Sequence, residues 1–588
     1  MTSESPLDPS NELPSNASPE HEAQLKGSPL SPATTLYRGG LVYNGADPLA
    51  TAFVIAGNRI AWIGSDAAAA GHADGVDAVV DLGGALVTPT FVDAHVHTSA
   101  TGLGLRSVDL SDAMSLSQVL DRIAKASRKR GGRPVYAPNW DQQDWPEHRP
   151  PTAWELDRAT YGGVVYSPRV DGHSAVISSA LAAASGARNH PGWNDSGLVT
   201  REAHHAAREA FHAGISSVDR RADIDAAMSA ATAAGIGLLH ENGGPSVSSE
   251  ADFADVLAAQ RQGDGPEVIG YWGELVGDQE SARALTTRLG ARGLAGDLNI
   301  DGSIGSRTAS LRERYVDVVI GAGRHRAGGQ HRADGSGSTA AGLGNAYLSV
   351  EQVRDHVAAC SLAGIQAGFH VIGDAGSDTA IAGFQAAADQ IGVDRVIAGR
   401  HRLEHLELID IHGIRALAEL GVSASVQPAF HTRWGGPEGM YAARLGAERT
   451  GRMNLFGTMA EAGMPLALGS DSPVTPFAPW EAIRGCVNHH NPAQRISKET
   501  AFLAHTRGGW RAAGVDNRGY LEVDQPASFA VWSAGAVGTV ADAREGSGVS
   551  APDRLPDRLP DLSAGAALPT NLRTVIKGRT VFDRGGFS

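Results

Sequence analysis

The 588-residue chain has only two cysteines, Cys360 and Cys486, so no disulfide framework can hold it together. Both are read as core-filling side chains, and their scarcity suits a reducing, cytoplasmic setting. Long apolar runs are missing as well. No stretch approaches the ~18 residues needed to span a bilayer, and no basic-then-apolar leader is present, so no membrane role is expected. Basic charge is thin: 50 Lys and Arg stand against 65 Asp and Glu, a net charge of -15. The one short basic run, Arg128-Lys129-Arg130, reads as a solvated helix end. That balance argues against a nucleic-acid surface and leaves a small molecule as the expected partner. Oligomeric state, a homo-oligomer included, is left open.

Residues 1–33, rich in Ser, Pro, Asn and Glu, cannot bury enough apolar surface to offset chain entropy and are expected to be disordered. From Leu36 to Val80, and again over 527–532 and 573–582, short β-rich runs alternate with Gly, Asn and Asp turns. Two such ends flanking a long middle point to one small β-sandwich, 34–85 and 521–588, built from both termini. A loop at 543–568, carrying the repeat Asp-Arg-Leu-Pro, is expected to be flexible. Between the ends, apolar strand-like runs alternate with Ala-rich helical patterns. Eight strands are expected, around 86–96, 235–241, 267–273, 297–301, 366–372, 401–407, 422–428 and 465–471. Eight such βα units imply an α/β fold, a TIM-type (β/α)8 barrel over 86–520. The long β1–β2 insertion, 100–215, exceeds an ordinary connection and reads as a lid or wall. A second, Gly-rich insertion at 320–347 carries His325 and His331, which read as solvated.

Chemistry gathers at the strand ends. Val92-Asp93-Ala94-His95-Val96-His97 closes the first apolar run, and side chains two apart on a strand share a side. A His-x-His pair alone is weak evidence, since solvated pairs are common. Three further segments strengthen it: Phe369-His370, Glu404-His405 and Gly469-Ser470-Asp471-Ser472-Pro473. His95, His97, His370, His405 and Asp471 form a set suited to a divalent ion, zinc above all. Such an ion lowers the pKa of a bound water to roughly 7 and polarises a carbonyl. Asp471 can take the proton of the attacking hydroxide's parent water and hand it to a leaving nitrogen. The chemistry expected is metal-dependent hydrolysis of an amide- or formamide-like, non-peptide carbon–nitrogen bond in a small molecule. An esterase, a cyclic-amide hydrolase, or a barrel scaffold without catalysis are the alternatives.

Together these motifs resemble the amidohydrolase superfamily, and within it the amidohydrolase family 3 branch that includes N-substituted formamide deformylase-like enzymes. Further matches are Trp140-Asp141, Trp145-Pro146-Glu147, Pro151-Thr152, Glu155-Leu156-Asp157, Arg169-Val170-Asp171-Gly172-His173-Ser174 and Asp301-Gly302-Ser303-Ile304-Gly305-Ser306-Arg307-Thr308-Ala309. The resemblance runs from about residue 36 to 582. It implies that Arg169, Asp171 and His173 line the substrate cavity, although Arg169 and Asp171 could instead brace a turn. Trp140 is either a cavity wall or the insertion's own core. Asp301 and Arg307 are expected to hold the strand-four loop, and His240 and His431 to be supporting rather than ligating. His489 and His490 are expected to be exposed.

Two departures stand out. Pro89-Thr90-Phe91 replaces the usual Pro-Gly-Phe, and Asp297 stands where the branch often has a Lys four residues before the Asp-Gly of strand four. In related enzymes that Lys, carboxylated, bridges two metals. Asp297 is therefore a candidate ligand and short bridge, with a site of one ion or of two, or else an exposed turn residue.

Overall fold

The computed structural model describes residues 33–142, 145–169, 174–245, 247–260, 263–318, 342–533 and 558–587. The tail before them, Asp171 and His173, His325 and His331, and the greater part of the expected 543–568 loop lie outside the described residues.

The chain begins with β1 (Thr34–Arg38), β2 (Leu41–Val42), β3 (Ala52–Ala56), β4 (Arg59–Gly64), β5 (Ala78–Asp81) and β6 (Leu86–Pro89). The next strand, β7 (Phe91–Val96), follows β6 after one residue but belongs to a different sheet. The single first strand expected over 86–96 is thus two strands, and Thr90 is where the chain passes from one sheet to the other. The insertion carries β8 (Val135–Tyr136), β9 (Val165–Pro168), β10 (Ser174–Ile177) and β11 (Leu198–Thr200), a sheet of its own in the order β11-β10-β9-β8.

Then come β12 (Ile236–Gly243), β13 (Glu267–Trp272), β14 (Gly293–Leu294), β15 (Gln366–Val371), β16 (Arg402–His405), β17 (Ser423–Val426) and β18 (Leu466–Leu468). With β7 they make an eight-stranded sheet, β18-β17-β16-β15-β14-β13-β12-β7, parallel throughout. Its two ends meet through a parallel bridge between Val96 and Ser472, which nearly closes the barrel. The fourth strand is not where the sequence places it. Gly296, at φ +82, turns the chain just after Leu294, and a Cβ there would lie 2.4 Å from Asn242 Oδ1. Residues 297–301 consequently leave the ladder and touch it only through bridges such as Asn299 with His370. This turn is what carries Asp297 over the strand ends.

The helices follow from local chemistry. Val350–Ala363 opens with a capping box, Ser349 accepting from Gln352 N while Gln352 reaches back, and stops at Gly364, whose φ of +70 is the left-handed C-cap. Val353, Val357 and Cys360, spaced at 4 and 3, turn one face into the barrel core. Cys360 and Cys486 are both buried, and burial pushes their thiols up. No helix among the described residues is long and apolar enough to cross a membrane.

Both ends of the chain meet again in β19 (Phe529–Trp532), β20 (Asn571–Ile576) and β21 (Arg579–Asp583). These join β2 and β6 in a five-stranded sheet, β2-β6-β19-β20-β21, while β4-β3-β1-β5 forms a second. One apolar cluster serves both: Tyr37 and Phe53 of the second sheet pack on Phe529 at 5.1 and 5.0 Å between ring centres. The described part of the expected flexible loop, 558–568, is instead packed. Leu559 and Leu562 sit in the main core, and Lys498 Nζ, Asn488 Nδ2 and Arg558 Nε bond backbone carbonyls that tie the segment down. Leu559 and Leu562, with Leu568 packed beside the same core, outweigh the turn-rich composition around them.

The insertion is anchored beside the first barrel strand. The helix Thr98–Leu105 starts directly after His97 and crosses Ser217–Ala233, where Arg106 reaches buried Asp223, and Arg133 reaches Asp219 at 2.7 Å. Gly102 lies at the crossing; a Cβ there would fall 1.7 Å from Asp223 O. Gly102→Ala should therefore force the two helices apart and cost roughly 2 kcal/mol or more, seen as a lowered unfolding midpoint. A variant as stable as the parent would show that the crossing can relax.

Candidate metal centre

The seam between β7 and β18 builds the first half of the site. Asp471 N donates to His95 O at 2.8 Å, and His97 N donates to Ser472 O at 2.9 Å. Below them the buried Asp93 carboxylate accepts from Ser470 N at 2.9 Å and His95 N at 3.3 Å. Burial pushes that carboxyl up to about 6, against the pull of Ser470. The crossing is tight enough that a Cβ on Gly469 would sit 2.6 Å from His95 N. Asp471 itself has φ +53, an uncommon backbone for a non-glycine residue, and that conformation turns its carboxylate toward the two histidines.

Its Oδ1 lies 3.1 Å from His97 Nε2 and 3.6 Å from His95 Nε2. Asp297 comes down from the displaced strand-four segment to the same place. Its Oδ1 is 3.3 Å from His95 Nε2 and its Oδ2 3.4 Å from His97 Nε2. Asp297 is no exposed turn residue: its side chain is 16% exposed and its carboxylate faces the histidines.

The second half comes from β15 and β16. His405 has φ +72, which breaks the alternation of β16. Its ring lies 5.0 Å from that of His95 and 4.4 Å from that of His370. The loop behind His370 is pinned by Asp301, whose carboxylate accepts from Ile372 N, Gly373 N and Ser310 N at 2.9, 2.7 and 2.8 Å. Arg307 grips Asp317 with two bonds, so both residues hold the loop as expected.

In three of the histidines the nitrogen facing away from the cluster has a partner that selects the tautomer. His95 Nδ1 donates to Glu404 Oε2 at 2.9 Å, His97 Nδ1 to Asn242 O at 2.9 Å and His405 Nδ1 to Gln427 Oε1 at 2.7 Å. In all three, Nε2 is left as the donor atom that faces the others. His370 differs, since its Nδ1 is buried and unpartnered. His95 Nε2, Asp297 Oδ1 and Asp471 Oδ1 are likewise buried without a hydrogen-bond partner. Orphaned polar atoms of this kind are costly unless something binds them. Bonds of ~2.0–2.2 Å to one ion put neighbouring donor atoms roughly 3–3.6 Å apart, the spacing found here. The described residues hold two triads able to take an ion, His95, His97 and Asp471, and His95, Asp297 and His405. The donor set therefore fits a divalent metal.

Electrostatics agree. Burial opposes charge on His97, but the Asp297 and Asp471 carboxylates outweigh it and push the imidazole up to about 9. Burial likewise opposes ionisation of Asp297, yet His97 and His95 hold it well below the usual carboxylate range. His405 is the exception: burial, with His370 and His95 beside it, pulls it down to about 3, so it stays neutral.

The remaining candidates lie elsewhere. Trp140 does not wall a cavity. It is 1% exposed, packs with Trp145 in the insertion's core and donates its indole N–H to Ser167 O. Arg169 bonds Asp141 at 2.8 Å and Gln142 at 3.1 Å, while the expected pairing with Asp171 lies outside the described residues. His240 is buried and bonded to Arg402 rather than to the cluster. His489, expected to be exposed, is buried and stacks on His431 with ring centres 3.6 Å apart. Asn242, Gln427 and the Arg402–Glu404 pair were not singled out. For Arg402 and Glu404 a signal existed: two charged residues two apart on a strand that should be buried point the same way and need partners.

The Amidohydrolase family model matches residues 78–582. Protein LONG AFTER FAR-RED 3 of Arabidopsis thaliana is 25% identical over 529 residues, 83% of this chain and 84% of that one. N-substituted formamide deformylase of Arthrobacter pascens is 23% identical over 514 residues, 82% of this chain and 90% of that one. An uncharacterized metal-dependent hydrolase from Pyrococcus furiosus has the same fold, with a TM-score of 0.69 at 23% identity, covering 85% of this chain and 98% of that one. The chain belongs to the amidohydrolase family and is a hydrolase of carbon–nitrogen bonds other than peptide bonds.

Proposed function

We propose that His95, His97, His370, His405, Asp297 and Asp471 hold at least one divalent ion, zinc by the preference of such ligands, and that the protein hydrolyses an amide- or formamide-like bond of a small molecule. The observation that carries this reading is the convergence of three buried, unpartnered polar atoms, with His95 Nε2 lying 3.3 Å from Asp297 Oδ1 and 3.6 Å from Asp471 Oδ1, beside the packed rings of His405 and His370. A formamide is favoured within the class because the Arthrobacter pascens relative bears that activity in its name. The two sheets sharing Tyr37, Phe53 and Phe529 are read as the small sandwich expected from both chain ends, outside the barrel unit.

A divalent ion bound here would activate water and polarise the scissile carbonyl. The chain's own residues supply the rest. Asp471 lies beside both His95 and His97, and its carboxylate is positioned to accept a proton from the attacking water and release it to the departing nitrogen. Burial of the surrounding groups keeps bulk water from competing for that proton. Asp297, with one oxygen toward each histidine, supplies the negative charge that a Lys would provide only after carboxylation.

Elemental analysis of fresh protein should find near-stoichiometric metal, most of it lost in His95→Ala/His97→Ala, and a screen should find turnover of N-substituted formamides or acyl amines before aryl esters. Full turnover by metal-free protein would end this reading. Asp471→Asn keeps the shape and one ligating oxygen but cannot take the proton. It should retain much of the metal while kcat falls by roughly 10²–10⁴; near-normal kcat with metal bound would assign the proton elsewhere. Asp297→Ala should lower metal content by about one ion per chain if Asp297 is a bridge. An unchanged content would leave it a bystander that only balances charge.

A further inference from the structure

The interior of the barrel holds one complete ion pair. Arg402 and Glu404 are both fully buried, and they share two bonds, Nε to Oε1 at 2.6 Å and Nη2 to Oε2 at 3.0 Å. Removing such a pair from water costs several kcal/mol per ion before any attraction is recovered. The carboxylate has a further partner, His95 Nδ1 at 2.9 Å. The guanidinium has three: Ala94 O at 2.6 Å, His240 Nδ1 at 3.0 Å, and the face of Tyr271 at 4.5 Å.

Arg402 thus spans the barrel from β16 to β7, β12 and β13. It also bonds the main chain of the residue just before His95, so the pair grips His95 by both its backbone and its ring. The comparison among the histidines is informative. His97 and His405 lean on neutral acceptors, the Asn242 carbonyl and the Gln427 amide. His95 alone leans on a carboxylate. It is also the residue common to both candidate triads among the described residues, so either arrangement depends on its orientation.

We propose that Glu404 is a positioning residue for the metal centre: it fixes His95 with the proton on Nδ1 and strengthens Nε2 as a ligand, and Arg402 is the counter-ion that keeps this carboxylate in place inside the barrel. The proposal rests on the reading that His95 ligates metal. An acceptor behind a ligating imidazole commonly changes metal affinity by 10–100-fold, and a carboxylate raises ligand basicity more than an amide does.

Glu404→Gln alone would leave Arg402 charged and unpaired, and the protein could fail to fold for that reason only. The informative variant is therefore Arg402→Met/Glu404→Gln, in which the buried charges are removed together, compared with Arg402→Lys, which retains Glu404 and a counter-charge. Zinc affinity is measured by chelator competition, the visible spectrum is recorded with cobalt in place of zinc, and the unfolding midpoint is followed in parallel. The double variant should fold with a midpoint near the parent's, bind zinc 10–100-fold more weakly and show a shifted cobalt spectrum. Arg402→Lys should stay within a few-fold of the parent's affinity. Parent-like affinity and spectrum in the double variant would overturn the proposal, and so would an equal loss in Arg402→Lys, which would make Arg402's packing the cause. A parent protein that binds no zinc or cobalt at all would instead overturn the metal reading itself.

Discussion

The meeting of the first and last barrel strands is the constraint on which the rest depends. A parallel sheet sets its C-terminal strand ends along one edge, and closing it gathers those ends around one centre; here closure is made by a few main-chain bonds between 93–97 and 469–472. Those bonds bring Asp471 to the histidine pair. They also dictate the unusual details nearby: no side chain at residue 469, a left-handed backbone at Asp471, and an aspartate at position 93 that accepts backbone N–H groups from both strands. Backbone strain and a buried carboxylate are costs that a purely structural seam would not carry. They are repaid by a cluster of donor atoms held at close spacing.

The second organising feature is the separation of roles between the two sides of each imidazole. One nitrogen faces a fixed acceptor in the protein and the other faces the cluster. Because those acceptors come from three different strand ends, β12, β16 and β17, the orientation of the histidines is distributed around the barrel rather than vested in one loop. A shift of any one of these strands would be felt at the centre, which is the expected behaviour of a close-packed interior.

Much of this was legible before any coordinates. Apolar runs, four of them ending in or just before His95, His370, His405 and Asp471, located seven of the eight barrel strands, because strand periodicity survives in a single sequence. The fourth strand was misplaced since its visible cue, the run toward Asp301, is a segment that Gly296 turns out of the sheet. The first was read as one strand because periodicity does not register a change of sheet at Thr90. Trp140 was ambiguous because a large aromatic is equally at home in a core and in a cavity wall. The partners of the histidines were the hardest to foresee. Asn242 acts through its backbone, which carries no sequence signature, and Gln427 only makes sense once the left-handed turn at His405 is known.

The handover at Thr90 has a consequence for how the protein is made. The strand that leads into the histidine pair is continuous with β6, and β6 pairs with β19, with Trp532 reaching Thr88 across 444 residues of chain. On a ribosome the His95–His97 strand therefore emerges long before β19, the neighbour that secures its upstream half. Contacts of such sequence separation are slow to form and leave an unpaired strand edge exposed in the meantime. Assembly of the barrel's first strand is thus tied to the arrival of β19, and loss of that distant strand would be felt at the histidines.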